Sequence, residues 1–432
     1  MSAEIIAVTA RQVYTKRPNP GIEVIVKTTN GVGRAVCTAG VSTGTHEVAF
    51  RYDNSTKWRG KGVGGAVQAV NEVIAPELTG MDCSVQSIVD EALLNICPDA
   101  KAVLGGNAIA AVSAAALKAG ANSLRIPLYR HIGGECAVTL PIPGMPAFGG
   151  SDRYGGGVSS PGIKPSYAFM CYDFDSFSEA SYAAWELSQV WGMELKKRGL
   201  YFSESPGSFA TIPPGVFDDE REIWEMMEHT IQTAGYEHRI GLQIDAAADS
   251  YYIRERGKYR GLFTREELTP TSLLEIYIKM TRDYSFVVIE DPFEEDDYEN
   301  HAALTKAVDI QVVGDDLFTT NANRLKIGAE IGACNTVLLK VNQIGTITEA
   351  LEMVQVAKRE GYQVMPCDSR GEGEAIADYC VGINAGSVRE CALGLDANRF
   401  LEIEDELGKS AVFLGKRGLA GCRFHKRDNE SV

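Results

Sequence analysis

The chain has 432 residues, a length that allows two domains or one domain built around a large barrel. Its composition is 45% hydrophobic and 23% charged, which is typical of a globular protein and excludes a fibrous or disordered chain. The formal net charge of -16 would repel phosphate backbones and anionic lipid unless the basic residues were clustered. The basic clusters at 196–198 and 423–427 are short, so we expect no nucleic-acid partner.

The cysteine pattern and the first residues indicate where the protein works. Ten cysteines are scattered along the chain without a CxxC pair, which predicts reduced thiols in an intracellular compartment. The first residues lack the charged and apolar regions of a signal peptide, and no apolar run reaches the ~18 residues of a membrane span. We therefore expect a cytoplasmic protein with no membrane partner.

The first third of the chain predicts a small sheet followed by helices. Apolar and polar residues alternate over residues 5–13 and 22–28, which is typical of antiparallel strands. Apolar residues then recur at helical spacing over 66–74 and 85–94, and an alanine-rich segment at 102–123 predicts another packed helix. Together these elements predict an α+β unit.

The passage near residue 140 predicts a domain boundary. Four prolines punctuate it, at 127, 141, 143 and 146. After it, strand-like and helix-like segments alternate, beginning with a strand at 168–172 and a helix at 178–198. We predict one domain over residues 1–140 and a second over 141–432.

Short apolar runs in the second domain share one feature: each stops at a charged residue. The runs include GLQID, FVVIE, IQVVGD and TVLLK, and their last residues, with those of two later runs, are Asp245, Glu290, Asp315, Lys340, Asp368 and Arg389. The spacing suits one strand and one helix per unit, and the carboxyl ends of parallel barrel strands meet at one mouth. These side chains should therefore converge.

Three carboxylates at successive strand ends favour a magnesium site. Mg²⁺ prefers oxygen ligands, and we assign Asp245, Glu290 and Asp315 to it. Each acid taken alone would more commonly be a helix cap or an ion-pair residue, but three at matched positions favour a metal. A dication beside Lys340 would lower the pKa of that lysine toward the range of a general base that removes a proton next to a carboxylate. Lys340 could instead be a structural ion-pair partner.

Several longer stretches resemble the enolase (phosphopyruvate hydratase) family. They include ARQVY, AGVSTGTHEV, VIEDPFEEDDYE and LLKVNQIGTITEAL, and the resemblance covers nearly the whole chain. It implies an enolase-type α/β barrel with an N-terminal α+β cap, in which the first barrel units depart from plain βα order. It also implies Mg²⁺ at the barrel mouth, a small phosphorylated or carboxylic acid substrate, and a homodimer.

The resemblance also assigns roles residue by residue. Asp245, Glu290 and Asp315 match the metal ligands of the family, and Lys340 matches its catalytic base. Ser42 matches a serine of a mobile loop that reaches a second Mg²⁺. Glu204 matches a catalytic acid, although the loop around it is rewritten here.

Other positions depart from the pattern of the family. Ala168 stands where a second catalytic acid is expected, and Asp368, Ser369 and Arg370 replace a His-Arg-Ser segment that binds phosphate. Asp368 adds negative charge there, whereas Arg370, displaced by one position, could compensate with Ser369. Arg389 replaces a lysine that contacts the carboxylate of the substrate.

Three functions remain open from the sequence. Because the departures cluster in one place, they favour a repurposed paralogue that keeps the metal site, has weak or no activity on 2-phosphoglycerate, and binds a protein partner or acts on another acid. The alternative is an active phosphopyruvate hydratase in which Arg370, Arg389 and Glu204 replace the usual groups. The third is an enzyme of the wider superfamily that acts on a non-phosphorylated acid.

Overall fold

A three-stranded antiparallel sheet opens the chain. Its strands are β1 (Ile5–Val13), β2 (Gly21–Thr28) and β3 (Val32–Cys37), paired in that order. The structure is a computed structural model that describes residues 2–16, 19–40, 43–150, 154, 164–201, 209–213 and 215–422. Alternate side chains of β3 are buried, whereas β1 buries Ile5 and Val8 and has a register shift between Ile5 and Ala7.

Helices follow this sheet in the chain. They are α1 (Gly64–Gln68), which continues through a π-helix (Ala69–Ile74) into α2 (Ala75–Leu78), then α3 (Gln86–Asn95), α4 (Ala100–Leu104), α5 (Gly106–Leu124) and α6 (Leu128–Gly133). Helix α5 packs directly on β3, where a Cβ atom on Gly33 would lie 1.9 Å from the carbonyl oxygen of Ala115. The single helix predicted over 102–123 is wrong, because Gly105 has φ 102° and separates α4 from α5.

The rest of the chain contains strands and helices in alternation. The strands are β4 (Thr139–Leu140), β5 (Ile142–Gly149), β6 (Ser166–Cys171), β7 (Ala210–Thr211), β8 (Ile240–Asp245), β9 (Tyr252–Ile253), β10 (Lys258–Arg260), β11 (Glu267–Leu268), β12 (Phe286–Glu290), β13 (Gln311–Gly314), β14 (Thr336–Leu339), β15 (Gln363–Pro366), β16 (Ser387–Cys391) and β17 (Val412–Phe413). The helices are α7 (Phe177–Lys197), α8 (Glu220–Ala234), α9 (Pro270–Asp283), α10 (Tyr298–Ala307), α11 (Ala322–Ile331), α12 (Val341–Ile344), α13 (Ile347–Arg359), α14 (Ala375–Ile383) and α15 (Leu395–Leu407).

Eight strands of the described chain form a barrel. Their order is β5, β6, β8, β12, β13, β14, β15 and β16; β16 pairs with β5, and a bridge between Cys367 and Arg389 closes the circle. All neighbours are parallel except β6, which runs antiparallel to both β5 and β8. The α/β barrel with a cap is therefore confirmed, as is the departure of its first units from plain βα order.

The direction of β6 decides which of its residues face the barrel mouth. Parallel strands bring their carboxyl ends to the mouth, so an antiparallel strand brings its amino end there. Ser166, the first residue of β6, pairs with Asp245, the last residue of β8. Residues just before β6 therefore lie at the mouth.

The barrel interior and its outer layer are separate apolar clusters. Ile142, Met170, Val288, Val313 and Leu338 fill the interior, whereas Phe169 and its odd-numbered neighbours on β6 pack outward against the helices. Within the described residues, no helix is both long enough and apolar enough to cross a membrane.

Candidate active site

Five of the six charged residues predicted from the strand ends lie buried at the barrel mouth. Asp245 and Glu290 are the last residues of β8 and β12, Asp315 and Lys340 directly follow β13 and β14, and Arg389 lies within β16. All five are buried, with at most 8% of the surface of each residue exposed. Ionised groups at such depth require partners of opposite charge or a metal.

Arg389 bridges the first two carboxylates of the predicted triad. Its Nη2 donates to Asp245 Oδ2 at 2.6 Å and to Ser166 Oγ at 3.2 Å, and its Nε lies 2.8 Å from Glu290 Oε2. Two carboxylates and one hydroxyl group therefore hold the guanidinium group of Arg389 at the mouth. Burial alone would lower the pKa of Arg389, but the negative charges around it, of which Glu290 contributes most, together raise it.

A second cation that the sequence reasoning missed also binds Asp245. Lys164 precedes β6, and its Nζ forms an ion pair with Asp245 Oδ2. Only 9% of the lysine side chain is exposed. Burial, followed by repulsion from Arg389, lowers the pKa of Lys164 to about 8. A lysine at the amino end of a barrel strand faces the mouth only because β6 is reversed.

The third ligand of the predicted triad, Asp315, belongs to a neighbouring group of acids. Asp245, Glu290 and Asp291 each have a carboxylate oxygen within 4.8 Å of the others, and the same holds for Asp291, Asp315 and Asp316. Asp291 thus connects the two groups. Its own oxygens accept hydrogen bonds from the backbone N–H groups of Asp315 and Asp316 at 2.8 and 3.0 Å.

Lys340 forms an ion pair with Asp315. Its Nζ donates to Asp315 Oδ2, and Gln343 Nε2 donates to Asp315 Oδ1 at 2.8 Å. Burial would lower the pKa of Lys340, but the negative charges around it, of which Asp315 contributes most, together raise it. The lower pKa expected from the sequence depends on a dication that would take over this carboxylate. Burial and the charge of Asp315 also raise the pKa of Asp316, to about 8.

The environment of Glu290 fits a metal ion. Both of its carboxylate oxygens are buried, and neither accepts a hydrogen bond from any described residue, although Arg389 is close. A buried carboxylate without hydrogen bonds is strongly disfavoured unless a cation binds it. The neighbouring donors Asp245 and Asp291 are also oxygen ligands, the type that Mg²⁺ prefers.

Arg370 is paired with a residue of the cap. Its guanidinium binds both carboxylate oxygens of Glu47, and the two side chains are 1% and 5% exposed. Ser369, beside it, is also buried. The Asp368 carboxylate accepts a hydrogen bond from the backbone N–H of Gly373 at 3.0 Å and lies 3.7 Å from Lys16 Nζ. These two groups stabilise its negative charge.

Cap residues next to Glu47 also contact the barrel. Thr45 hydrogen-bonds to Glu295 through its backbone N–H, at 2.8 Å, and through its hydroxyl group, and His46 Nε2 lies 2.9 Å from Asp296 Oδ1. These acids already have guanidinium partners, because Arg254 and Arg324 lie 3.2 and 3.0 Å from them. The contacts close this part of the cap over the mouth.

Ala168 lies on the interior face of β6. It shares that face with Ser166 and Met170, because alternate strand residues point the same way. Its neighbours across the sheet are Pro146 and Gln243. The methyl side chain of Ala168 cannot act as an acid that donates a proton.

Two predicted site residues, Ser42 and Glu204, lie outside the described residues. The structure thus brings together Asp245, Glu290, Asp315, Lys340 and Arg389, with Arg370 on the cap side.

Family models and known relatives match this chain almost throughout. Residues 5–132 match the model described as Enolase, N-terminal domain, and residues 137–421 match Enolase, C-terminal TIM barrel domain. The chain belongs to the enolase family. It is 39% identical to the enolase of Pyrococcus furiosus over 429 residues, 96% of this chain and 97% of that one. It is 38% identical to the enolase of Bifidobacterium animalis subsp. lactis over 436 residues, 98% and 99% of the two chains.

Proposed function

We propose that this enolase-family protein uses Mg²⁺ and Lys340 to remove a proton next to the carboxylate of a small acid, and that its dehydration of 2-phosphoglycerate is weak or absent. The observation that carries the proposal is the pairing of Arg370 with Glu47 beside the proposed metal ligands and Lys340. The groups proposed for proton removal lie together at the mouth, whereas the cation expected for phosphate already has a partner.

Each charged residue has a role in this reaction. Asp245, Glu290 and Asp315 would hold Mg²⁺, which supplies positive charge where the substrate becomes more negative. Lys340 would accept the proton as a neutral amine, so its ammonium group must first release one proton to solvent and give up the stabilising contact with Asp315. Arg389 would have to exchange its contact with Asp245 for the carboxylate of the substrate while it keeps Glu290.

Dehydration requires more than proton removal, because the departing hydroxyl group needs a proton and the phosphate needs cations. Ala168 has no proton to donate. A phosphate would also have to compete with Glu47 for Arg370, and Asp368 adds a negative charge nearby. Losing several groups that act together lowers rates by powers of ten.

An active phosphopyruvate hydratase is the second candidate. Its support is the 39% identity to an enolase along 96% of this chain, together with the retained Lys340. In this case Glu204 would serve as the acid, and Arg370 would exchange Glu47 for the phosphate when the substrate binds.

Formation of phosphoenolpyruvate from 2-phosphoglycerate in excess Mg²⁺ separates the two functions. We expect kcat/KM to be at least about 10³-fold below that of an ordinary enolase, because at least one donor and one phosphate contact are lost. Lys340→Ala is the matched control for contaminating host enolase. Activity equal to that of an ordinary enolase, and abolished in Lys340→Ala, would establish the second candidate instead.

Four further properties of the protein are proposed: its domain division, its oligomeric state, a possible protein partner and its location. The division between residues 1–140 and 141–432 rests on the prolines and the change of pattern near residue 140. The homodimer rests on the family resemblance, and a possible protein partner rests on the departures from it. The cytoplasmic location rests on the reduced state of the ten cysteines, which have free thiols in the structure.

A further inference from the structure

Two cations share one oxygen of Asp245. Lys164 Nζ and Arg389 Nη2 both contact Oδ2, whereas Oδ1 accepts a hydrogen bond from the backbone N–H of Ala247 at 3.0 Å. Arg389 has further partners in Glu290 and Ser166. For Lys164, the contact with Asp245 is the ion pair that compensates the burial of its ammonium group.

The backbone at Lys164 is fixed at the mouth. The hydroxyl group of Tyr251, a side chain that is 1% exposed, donates to the carbonyl oxygen of Lys164. Ser166, two residues later, is already paired with Asp245 in the sheet. The lysine side chain therefore extends from an anchored point and can change partner by rotation about its own bonds.

We propose that Lys164 is the resident counter-ion of the metal pocket, which holds Asp245 in the metal-free protein and must release it for Mg²⁺ to bind. The inference rests on the proposed function, because it takes Asp245 as a ligand of that metal. It concerns a residue outside the ligands and base matched to the family.

Charge and geometry together require this exchange. A Mg²⁺ ion held by Asp245 would add a third cation to a carboxylate that already binds Lys164 and Arg389, and three cations at one carboxylate repel strongly where water is excluded. Arg389 can retain Glu290 and Ser166 without Oδ2, whereas Lys164 cannot keep its ion pair. The released ammonium is then available to an anionic group of the substrate, because a buried charge needs a partner.

Calorimetric titration of the full-length protein with Mg²⁺, at fixed ionic strength, tests the proposal. We expect Lys164→Met to bind Mg²⁺ at least about 10-fold more tightly than the wild type, since no ammonium group has to be displaced. Lys164→Arg, which keeps the charge, should remain within about 3-fold of the wild type. Lys416→Met, which removes a lysine paired with Asp173 at 3.1 Å away from the mouth, should change nothing.

The thermal midpoint provides a second measurement that does not depend on activity. Saturating Mg²⁺ should raise the midpoint of Lys164→Met by more than it raises that of the wild type, because the tighter site contributes more binding free energy. If Lys164→Met does not fold, Lys164→Gln replaces it, with the same tightening expected.

Equal or weaker Mg²⁺ binding in the uncharged variants would overturn the proposal while leaving the metal pocket in place. A wild type that binds no Mg²⁺ would overturn both this inference and the metal-dependent reaction. The phosphoenolpyruvate assay of the wild type does not depend on how the Lys164 variants bind Mg²⁺, so the failure of this inference is distinguishable from the failure of the proposed function.

Discussion

At the scale of single residues, the side chain of Glu290 combines complete burial with the lack of a hydrogen bond from the described residues to either carboxylate oxygen. We expect Glu290→Gln to weaken Mg²⁺ binding at least about 10-fold, because the amide removes one negative charge from the ligand set. Calorimetric titration with Mg²⁺ measures the change.

Glu294→Gln is the matched control for this prediction. Glu294 is an acid of the same loop that pairs with Arg254 at 2.6 Å and lies outside the two groups around Asp291. Its variant should bind Mg²⁺ as the wild type does. Unchanged affinity in Glu290→Gln would instead restrict the metal to Asp291, Asp315 and Asp316.

The sequence predicts some of these residues and misses others for a physical reason. Asp245, Glu290 and Lys340 end parallel strands, so an apolar run followed by a charge is enough to locate them at the mouth. Lys164 comes before its strand, and its position depends on the reversal of β6, which short-range patterns do not encode. The pairing of Arg370 with Glu47 joins positions far apart in the chain and is equally invisible to local spacing.

At the scale of secondary structure elements, helix α10 contains a buried histidine that should make stability depend on pH. His301 is fully buried, its Nδ1–H donates to the carbonyl oxygen of Asp297 at 2.7 Å, and its Nε2 has no hydrogen-bond partner among the described residues. Burial lowers the pKa of His301 to about 4, despite the opposing effect of Asp297.

The sign of the effect follows from proton uptake. Between pH 4 and 6.5 the unfolded chain binds the proton and the folded chain does not, so the free energy of unfolding falls as the pH is lowered through this range. The full loss amounts to ~3 kcal/mol. Urea unfolding of the wild type and of His301→Met over this range should show a smaller slope in the variant. Equal slopes would contradict the prediction, and His229→Met, at an exposed position of α8, is the control.

Element boundaries were predictable where periodicity is regular and unpredictable where the chain departs from it. The limits of β1 at residues 5 and 13 are those of the strand predicted from the apolar and polar pattern. The small sheet of β9, β10 and β11 was missed, because its strands have only two or three residues and bury few side chains.

At the scale of the whole molecule, the cap and the barrel are joined by a buried ion pair at the mouth. Glu47 belongs to the cap segment and Arg370 to the barrel, and their side chains are 5% and 1% exposed. We expect Glu47→Gln to reduce the free energy of unfolding by about 3 kcal/mol, because it leaves a buried guanidinium without its partner. Denaturant unfolding measures this change.

A second ion pair between the cap and the barrel is more exposed to solvent and serves as the comparison. Lys101 and Glu349 lie 2.5 Å apart with side chains 22% and 28% exposed, so solvent screens their attraction. Lys101→Met should therefore reduce the free energy of unfolding by only about 1 kcal/mol or less.

The double variant Glu47→Gln with Arg370→Met should recover part of the stability lost in Glu47→Gln, because neither charge is then buried alone. If Glu47→Gln costs no more than Lys101→Met, then Arg370 is compensated by Asp315 and Asp316 rather than by the cap, and it would be free to bind phosphate.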